Sequence, residues 1–185
     1  MKKNPSLFGF LIILGALGVI ILVYNLFLSK KDGYVIDNPS DKTLNVSIDQ
    51  QKYTIAPQQS VRLEIAKGKR NIQYNYNGKN VDTIIEIRRA SGLINPTLTD
   101  YYIFTRPYGN RSNKDSIFTS QNIAIDNKAY LGIITKAENL YIEDFYYNLD
   151  QDYPKLFIRN NDKKTDLSKI FRKEEFKQFY FENYE

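Results

Sequence analysis

The feature that most constrains this chain is an apolar run near its N-terminus. Leu7 to Leu28 (LFGFLIILGALGVIILVYNLFL) contains no charged side chain, and lysines flank the run at positions 2, 3, 30 and 31. At about 1.5 Å of helix rise per residue the run spans roughly 33 Å, and the hydrocarbon core of a bilayer is about 30 Å thick. The sequence therefore predicts a transmembrane helix over residues 7–28, preceded by a short tail (1–6) and followed by a tether (29–33).

A cleaved signal peptide is the alternative interpretation of this run. The run is longer than the ~7–15 apolar residues of an ordinary signal peptide. Bulky residues from Tyr24 to Leu28 also occupy the place where a signal peptidase requires small side chains. The flanking lysines nearly balance, so orientation is inferred from the short N-terminal tail and the long C-terminal part. These features favour an uncleaved anchor with the C-terminal domain on the periplasmic or extracellular side.

Histidine and cysteine are both absent from the chain. Their absence excludes cysteine nucleophiles, Ser-His-Asp triads, thiolate or imidazole zinc sites, and haem or iron–sulfur ligation. The chain also has no glycine-rich phosphate loop, and its basic residues are not interleaved with aromatic residues along one element. We therefore expect no cofactor, no bound metal and no nucleic-acid partner.

The net charge of +5 is distributed unevenly along the chain. Residues 30–136 are mildly basic, and residues 137–185 are mildly acidic. A basic patch beside anionic headgroups is attracted by about 1 kcal/mol per well-placed Lys or Arg. Because the basic residues are dispersed rather than clustered, ordinary solvated strand faces are the favoured interpretation.

From Tyr34 to Ile87 apolar and polar side chains alternate in short runs. This period of two residues predicts short antiparallel strands with one face in a core. Asn77-Gly78 supplies the two positive φ angles of a type I′ turn, so Val81 to Ile87 should return as a hairpin partner. Other turn residues separate the remaining runs. The pattern predicts a β-sandwich-like module over residues 34–92.

Four motifs in this module resemble the small PEGA-type and related surface β modules of bacterial envelope proteins. They are Val35-Ile36-Asp37-Asn38-Pro39, Val46-Ser47-Ile48-Asp49, Ile55-Ala56-Pro57 and Lys67-Gly68-Lys69. The chain departs from the pattern at Gln50, where a glycine is expected after the Asp49 position. Such modules are binding or spacing units, and the resemblance implies a role of that kind here.

A second β-rich segment, packed on the first module, is predicted over residues 93–164. Residues 123–130 (IAIDNKAY) match residues 46–53 (VSIDQQKY) in an I-D-x-x-x-Y frame. An internal duplication would produce this match, and so would two unrelated hairpins with the same turn requirements. Because nothing outside the frame repeats, two unrelated hairpins are the favoured interpretation.

The C-terminal segment, residues 165–185, changes to a helical period, and Thr165 or Asp166 can cap the helix. Its apolar residues fall mostly on one face: Leu167, Ile170, Phe171, Phe176, Phe179 and Tyr180. An amphipathic helix lying on the sheet is favoured over a detached partner-binding or membrane-surface helix. The predicted fold is thus mainly β (α+β), with an N-terminal transmembrane helix, antiparallel β-sandwich-like domains and a C-terminal amphipathic helix.

Basic and aromatic residues near the middle of the chain form the candidate binding surface. They are Arg88, Arg89, Tyr101, Tyr102, Arg106 and Tyr108. On this interpretation the chain is a single-pass membrane-anchored binding or structural module of the bacterial cell envelope, and no catalytic activity is expected. Its partner would be a protein or an envelope polymer. A protein that neutralises one specific partner would have the same sequence features.

A membrane-bound hydrolase of envelope glycans is the alternative from a different class. It would use acids of the tyrosine-rich segment 138–152: Glu138, Glu143, Asp144, Asp150 and Asp152. Paired carboxylates hydrolyse glycosidic bonds when they lie about 5–10 Å apart in a concave site. The segment Asp150-Gln151-Asp152 lacks the ligand order of a calcium loop, so no calcium site is expected there.

Overall fold

The computed structural model describes residues 5–23, 33–108, 121–153 and 165–185. The chain divides into two compact units, Met1–Asp32 and Gly33–Glu185. Helix α1 (Pro5–Val23) belongs to the first unit. Within the described ranges, no helix reaches the combination of length and apolarity that crossing a bilayer requires. Residues 24–28 of the predicted transmembrane segment lie outside these ranges, and the anchor stays a prediction.

The described part of the second unit contains thirteen strands and one helix. The strands are β1 (Gly33–Asp37), β2 (Leu44–Ile48), β3 (Gln51–Ile55), β4 (Ser60–Leu63), β5 (Gly68–Tyr76), β6 (Lys79–Ile87), β7 (Ser91–Ile94), β8 (Tyr101–Tyr108), β9 (Asn122–Ile125), β10 (Lys128–Leu131), β11 (Ile133–Ala137), β12 (Tyr141–Ile142) and β13 (Thr165–Arg172). Helix α2 (Lys173–Tyr184) follows β13 directly. The mainly β prediction is confirmed.

These strands form three larger sheets and one separate hairpin. Sheet A has the order β4-β1-β7-β12, sheet B has β3-β2-β5-β6, sheet C has β11-β8-β13, and β9 pairs with β10 alone. The strands pair antiparallel except β1 and β7, which run parallel with Gly33 opposite Ser91. The predicted boundary between the two β-rich segments, after residue 92, falls inside β7. Strand β7 pairs with β1 on one side and with β12 on the other, so residues from both predicted segments belong to sheet A.

Three hairpins turn on two residues with positive φ. The predicted turn at Asn77-Gly78 has φ angles of +50° and +76° and joins β5 to β6. Asp49-Gln50 (+45° and +73°) and Asp126-Asn127 (+49° and +64°) have the same backbone form. The matching I-D-x-x-x-Y frames are therefore two hairpins with one turn geometry, and they lie in different sheets.

The sheets of the second unit stack in layers around three cores. The first core lies between sheets A and B and includes Tyr34 and Ile36 of β1. The second core lies between sheets A and C and includes Val35 of β1 and Ile103 of β8. Sheet A is therefore covered on both faces, and all five residues of β1 are buried.

The third core is aromatic and lies between sheet C, the β9-β10 hairpin and α2. Tyr102 and Phe104 of β8 contribute to it together with Phe176 and Tyr180 of α2. The Phe104 ring has its centre 6.1 Å from that of Phe176. Sheet C is thus also covered on both faces, because alternate residues of β8 point into the second and third cores.

The predicted C-terminal helix is correct only for its second half. Thr165–Arg172 is strand β13, paired antiparallel along β8, and the helix begins at Lys173. Ile170 packs in the second core and Phe171 in the third. A strand buried on both faces has apolar neighbours at successive positions, which imitates part of a helical pattern. Thr165 and Asp166 therefore belong to a sheet and cap no helix.

Candidate functional site

The structure separates the six residues of the predicted binding surface. Tyr101 and Tyr102 are only 0% and 4% exposed, so their prediction as surface residues was wrong. They lie in β8, the central strand of sheet C, which is covered on both faces. Tyr108 ends β8, and its side chain lies outside the described part of the chain.

Arg106 lies in an aromatic cage. Its guanidinium carbon is 5.1 Å from the ring centre of Tyr153, 5.6 Å from that of Phe179 and 5.5 Å from that of Tyr184. Its Nε also donates a 2.8 Å hydrogen bond to the Tyr184 hydroxyl. Because a guanidinium is attracted to aromatic ring faces, Arg106 ties α2 to β8.

Arg88 and Arg89 are exposed, and they lie at the end of the second unit where β1 begins. Arg88 forms an ion pair of 2.5 Å with Glu86, and Arg89 forms one of 3.1 Å with Asp144. The hydrogen bond from Arg88 lowers the pKa of Glu86. These two arginines are the part of the predicted surface that the structure brings together.

The acids proposed for hydrolysis are spread over several surface contacts. Glu138 lies 3.3 Å from Lys136, Asp144 lies 3.1 Å from Arg89, Asp150 lies 2.6 Å from Arg62, and Glu143 accepts a 3.3 Å hydrogen bond from the Arg88 backbone N–H. Four different contacts therefore engage four of these carboxylates. The described ranges contain no group of three or more potential metal ligands.

A buried ion pair joins β1, β8 and β13 at the end of the unit opposite Gly33. Asp37 is fully buried and accepts hydrogen bonds of 2.9 Å from Arg172 Nε and 2.5 Å from its terminal nitrogen. The Tyr101 hydroxyl donates a 2.5 Å hydrogen bond to the same carboxylate. Burial, and then the charge of Asp37, raise the pKa of Tyr101. The hydrogen bond to Asp37 raises the pKa of Arg172.

Two buried asparagines hold the loops around this ion pair. The Asn38 amide donates to the carbonyls of Lys42 at 2.7 Å and Ile55 at 3.0 Å. The Asn95 amide donates to the carbonyl of Thr99 at 2.9 Å. Sequence reasoning assigned no buried role to these residues, although each precedes a proline, and Asn before Pro is a signal for turns with side-chain hydrogen bonds.

A cleft of about 760 Å³ opens beside the ion pair. Its lining comprises Pro39, Gln58, Thr99, Asp100, Tyr101 and residues 172–175. Leu98, next to the lining, is 56% exposed and has a φ of +52°, so an apolar side chain is held outward on a strained backbone. The charged groups that line this concave surface can contact a polar partner, and Leu98 beside the cleft offers an additional apolar contact.

Lys169 fastens a loop at the other end of the unit. It is 6% exposed, and its ammonium donates to the carbonyls of Asn148 at 3.0 Å, Leu149 at 3.3 Å, and Gln151. Burial lowers the pKa of Lys169. The Asn148 amide in turn donates 3.0 Å to the carbonyl of Gly33. These contacts give the buried lysine a structural role.

No family model, curated protein or solved structure matches this chain. The resemblance to PEGA-type modules therefore rests on the four sequence motifs alone.

Proposed function

We propose that this chain is a single-pass membrane-anchored binding or structural module of the bacterial cell envelope, without catalytic activity. Leu7 to Leu28 would be the anchor, and Gly33–Glu185 would lie on the periplasmic or extracellular side. The observation that carries the proposal is the short connection between the uncharged run and the first core strand. All five residues of β1 are buried from Gly33 onward, so residues 29–32 are the whole of that connection.

A connection of this length would keep the unit close to the bilayer. Residues 29–32 reach at most about 14 Å when fully extended. The tether cannot lengthen at the expense of β1, because withdrawing Tyr34 and Ile36 would expose the first core. The cleft lies beyond Asp37, at the opposite end of β1, and we propose it as the partner-binding site.

The surroundings of the acids in segment 138–152 support a non-catalytic role. Glu138, Asp144 and Asp150 each contact a different basic side chain, which is typical of solvated surface ion pairs, and Glu143 accepts from a backbone N–H. Replacing Glu143 by Gln and Asp144 by Asn should therefore leave the cellular phenotype unchanged. A phenotype equal to that of a deletion strain would favour the envelope-glycan hydrolase instead.

Membrane topology is the decisive test of the anchor. A reporter fused after Glu185 should be active only in a form that works outside the cytoplasm, and the full chain should remain in the membrane pellet after alkaline extraction. A control with Leu14→Lys and Leu22→Lys should lose the pellet association, since each central lysine costs about 2.5–3.5 kcal/mol in a membrane helix. Cytoplasmic reporter activity would contradict the localisation, and extraction of the unaltered chain would contradict the anchor.

The cleft can be tested separately with a photo-crosslinking amino acid. At Leu98, beside the cleft, it should give a discrete adduct in intact cells. At Phe181, which is 65% exposed on helix α2, it should give none. Equal labelling from both positions would contradict binding at the cleft.

A further inference from the structure

Sheet B has a free strand at each edge. In the described ranges β6 pairs only with β5, and β3 pairs only with β2. Strand β6 is nine residues long, contains no proline, and keeps one register with β5 from Lys79 to Ile87. The unpaired N–H and C=O groups of such an edge form a template for another strand. By contrast, the β13 edge of sheet C bonds to a loop, because Ser168 accepts from the backbone of Tyr146 and Tyr147.

The two hairpin turns determine which backbone groups of these edges are free. The residues that flank a two-residue turn form a hydrogen-bonded pair, and such pairs alternate along an antiparallel ladder. Tyr76 and Lys79 flank the β5-β6 turn, and Ile48 and Gln51 flank the β2-β3 turn. The even-numbered residues of β6 and of β3 therefore direct their N–H and C=O groups toward the free edge. Their side chains are all exposed.

The two free edges are also matched in direction. All pairings within sheet B are antiparallel, so β3 and β6 run in opposite directions. If β3 of one copy lies beside β6 of a second copy in the same orientation, the antiparallel order of the sheet continues. In that arrangement the free backbone groups meet, and the exposed side chains of both strands lie on one face.

Opposite charges without ion pairs lie at matching positions of the two edges. Lys52 of β3 and Asp82 of β6 are exposed, and neither forms an ion pair within the described part of the chain. Each oxygen of the Asp82 carboxylate accepts a 2.9 Å hydrogen bond from a neutral side-chain amide. The other acid of β6, Glu86, pairs with Arg88 at 2.5 Å. Asp82 is therefore the acid of this edge that is open to a further base.

We infer that copies of this chain associate edge to edge, with β3 of one copy paired antiparallel to β6 of the next. Lys52 then lies opposite Asp82 of the neighbouring copy, and Tyr53 lies opposite its Val81. Tyr53 and Val81 are both half-buried and pack against the first core, so each covers the exposed part of the other. Pairs of opposite charges and pairs of aromatic with β-branched residues both stabilise neighbouring strands.

The charges favour this pairing over the pairing of like edges. The remaining charged residue of the paired stretch, Lys79, lies opposite Ile55, so no like charges oppose each other. Two β6 strands in their longest antiparallel registers would place Asp82 opposite or diagonal to another Asp82 or Glu86. Two β3 strands would bring Lys52 beside itself in the same way, and like charges so placed are destabilising. The association is therefore heterologous, and it can repeat into rows of copies.

Edge pairing depends on neither the proposed anchor nor the cleft, because every contact that it uses lies in sheet B. The expected result is the same whether or not the chain inserts into a membrane. Failure of edge pairing would leave both of those proposals standing, and their failure would leave edge pairing unaffected.

Disulfide crosslinking of the full chain in intact cells tests the pairing, since the chain itself has no cysteine. Thr54→Cys and Asn80→Cys occupy positions that face each other between copies. Within one copy the two positions lie at opposite edges of sheet B, at least about 14 Å apart, which is beyond the reach of a disulfide. A membrane-permeable oxidant should therefore convert the double variant into dimers, trimers and larger species on a non-reducing gel. Each single variant should remain monomeric.

Charge variants in this double-cysteine background test the contact between Lys52 and Asp82. Lys52→Asp or Asp82→Lys alone should lower the crosslinked fraction roughly three- to tenfold, because each change places like charges opposite each other. The two changes together should restore the fraction, since the pair is then reversed rather than broken. Lys67→Asp makes the same change in charge at an exposed position outside both edges, and as the matched control it should leave the fraction unchanged.

Three results would overturn the inference. A double-cysteine variant that stays monomeric would show that the edges do not pair and that their charges keep other strands away. Dimers from Asn80→Cys alone would show that like edges pair. Crosslinking of Thr54→Cys with Ile84→Cys that equals crosslinking with Asn80→Cys would show that the register is wrong, and with it the contact between Lys52 and Asp82.

Discussion

Asp37 joins three strands through one carboxylate. Its partners Tyr101 and Arg172 come from β8 and β13, so the contact is made only when the strands are assembled. Its position in sequence gives little indication of this role, because Asp37-Asn38-Pro39 has the composition of an exposed turn. Burial of the carboxylate depends on an arginine that lies 135 positions away, which no local pattern specifies.

Replacing Asp37 by Ala should be one of the most destabilising single changes in the unit. It leaves the Arg172 guanidinium without its buried partner, and breaking such a pair costs about 3–5 kcal/mol. Tyr101→Phe removes one hydrogen bond and should cost only about 1 kcal/mol. Urea denaturation followed by near-ultraviolet circular dichroism of the tyrosines measures both values. Equal losses in the two variants would contradict the central role of the ion pair.

Gly92 is required by the ring of Tyr141. A Cβ at position 92 would lie 2.5 Å from Tyr141 Cε2, well inside contact distance. Gly92→Ala should therefore lower the free energy of unfolding by about 1–3 kcal/mol. Tyr141→Phe should be neutral or slightly stabilising, because the Tyr141 hydroxyl is buried without a hydrogen-bond partner in the described structure. Thermal unfolding measures the stability of both variants. A Gly92→Ala variant as stable as the unaltered chain would contradict the prediction, because it would show that the Tyr141 ring can move aside.

Among the strands and helices, local signals predicted the hairpins well and the long-range pairings poorly. Asn77-Gly78 specifies its own turn, whatever the rest of the chain does. The parallel pairing of β1 with β7 depends instead on which strands share a core. Strand β13 was taken for helix because both of its faces are buried, which removes the alternation that identifies a half-exposed strand.

The β2-β3 hairpin contains a correctable strain at Gln50. This residue has a φ of +73°, a conformation that glycine adopts without steric cost. Gln50→Gly should raise the free energy of unfolding by about 0.5–1 kcal/mol. The matched change Asn127→Gly in the β9-β10 hairpin should gain less, because asparagine tolerates this conformation better than glutamine. Chemical denaturation measures the gain in unfolding free energy for both variants. A larger gain for Asn127→Gly than for Gln50→Gly would contradict the explanation by backbone strain at Gln50.

The aromatic cage of Arg106 should control how firmly α2 is held. Arg106→Met keeps an apolar stem but removes the guanidinium, and should cost about 1–2 kcal/mol. The loss should appear as faster amide hydrogen exchange in α2, because Tyr184 and Phe179 belong to that helix. Exchange in sheet B should be unaffected. Uniform acceleration across both regions would indicate global destabilisation rather than loss of the cage.

Buried tyrosines spread over the sheets make the stability of the second unit sensitive to alkaline pH. Burial is the main cause that raises the pKa values of Tyr53, Tyr74, Tyr101, Tyr102 and Tyr141. The folded state therefore holds these protons more tightly than the unfolded state, in which a tyrosine has a pKa of about 10. The stability that this difference contributes is complete below about pH 10 and is lost as the pH rises through the folded pKa values.

The unfolding free energy should therefore fall steeply above about pH 10. Urea denaturation at a series of pH values measures the fall, and tyrosinate absorbance shows whether ionisation accompanies unfolding. Tyr101→Phe should make the fall shallower. Tyr146→Phe, at a ring that is 48% exposed, is the matched control for removal of a tyrosine hydroxyl. An unfolding free energy that stays constant above about pH 10 would contradict the raised pKa values of the buried tyrosines.

The central position of β1 also determines the order in which the cores of the second unit can close during synthesis. β1 is the first strand of the unit to leave the ribosome, yet its parallel neighbour β7 follows only after β6. The core beneath Val35 closes later still, because Ile170 is in the last strand. One face of the strand made first is thus covered late, and contacts of such long sequence separation form slowly. Tyr34 and Ile36 can be covered by strands up to β7, whereas Val35 stays uncovered until β13 has been made, so one face of β1 needs protection while β8 to β13 are being made.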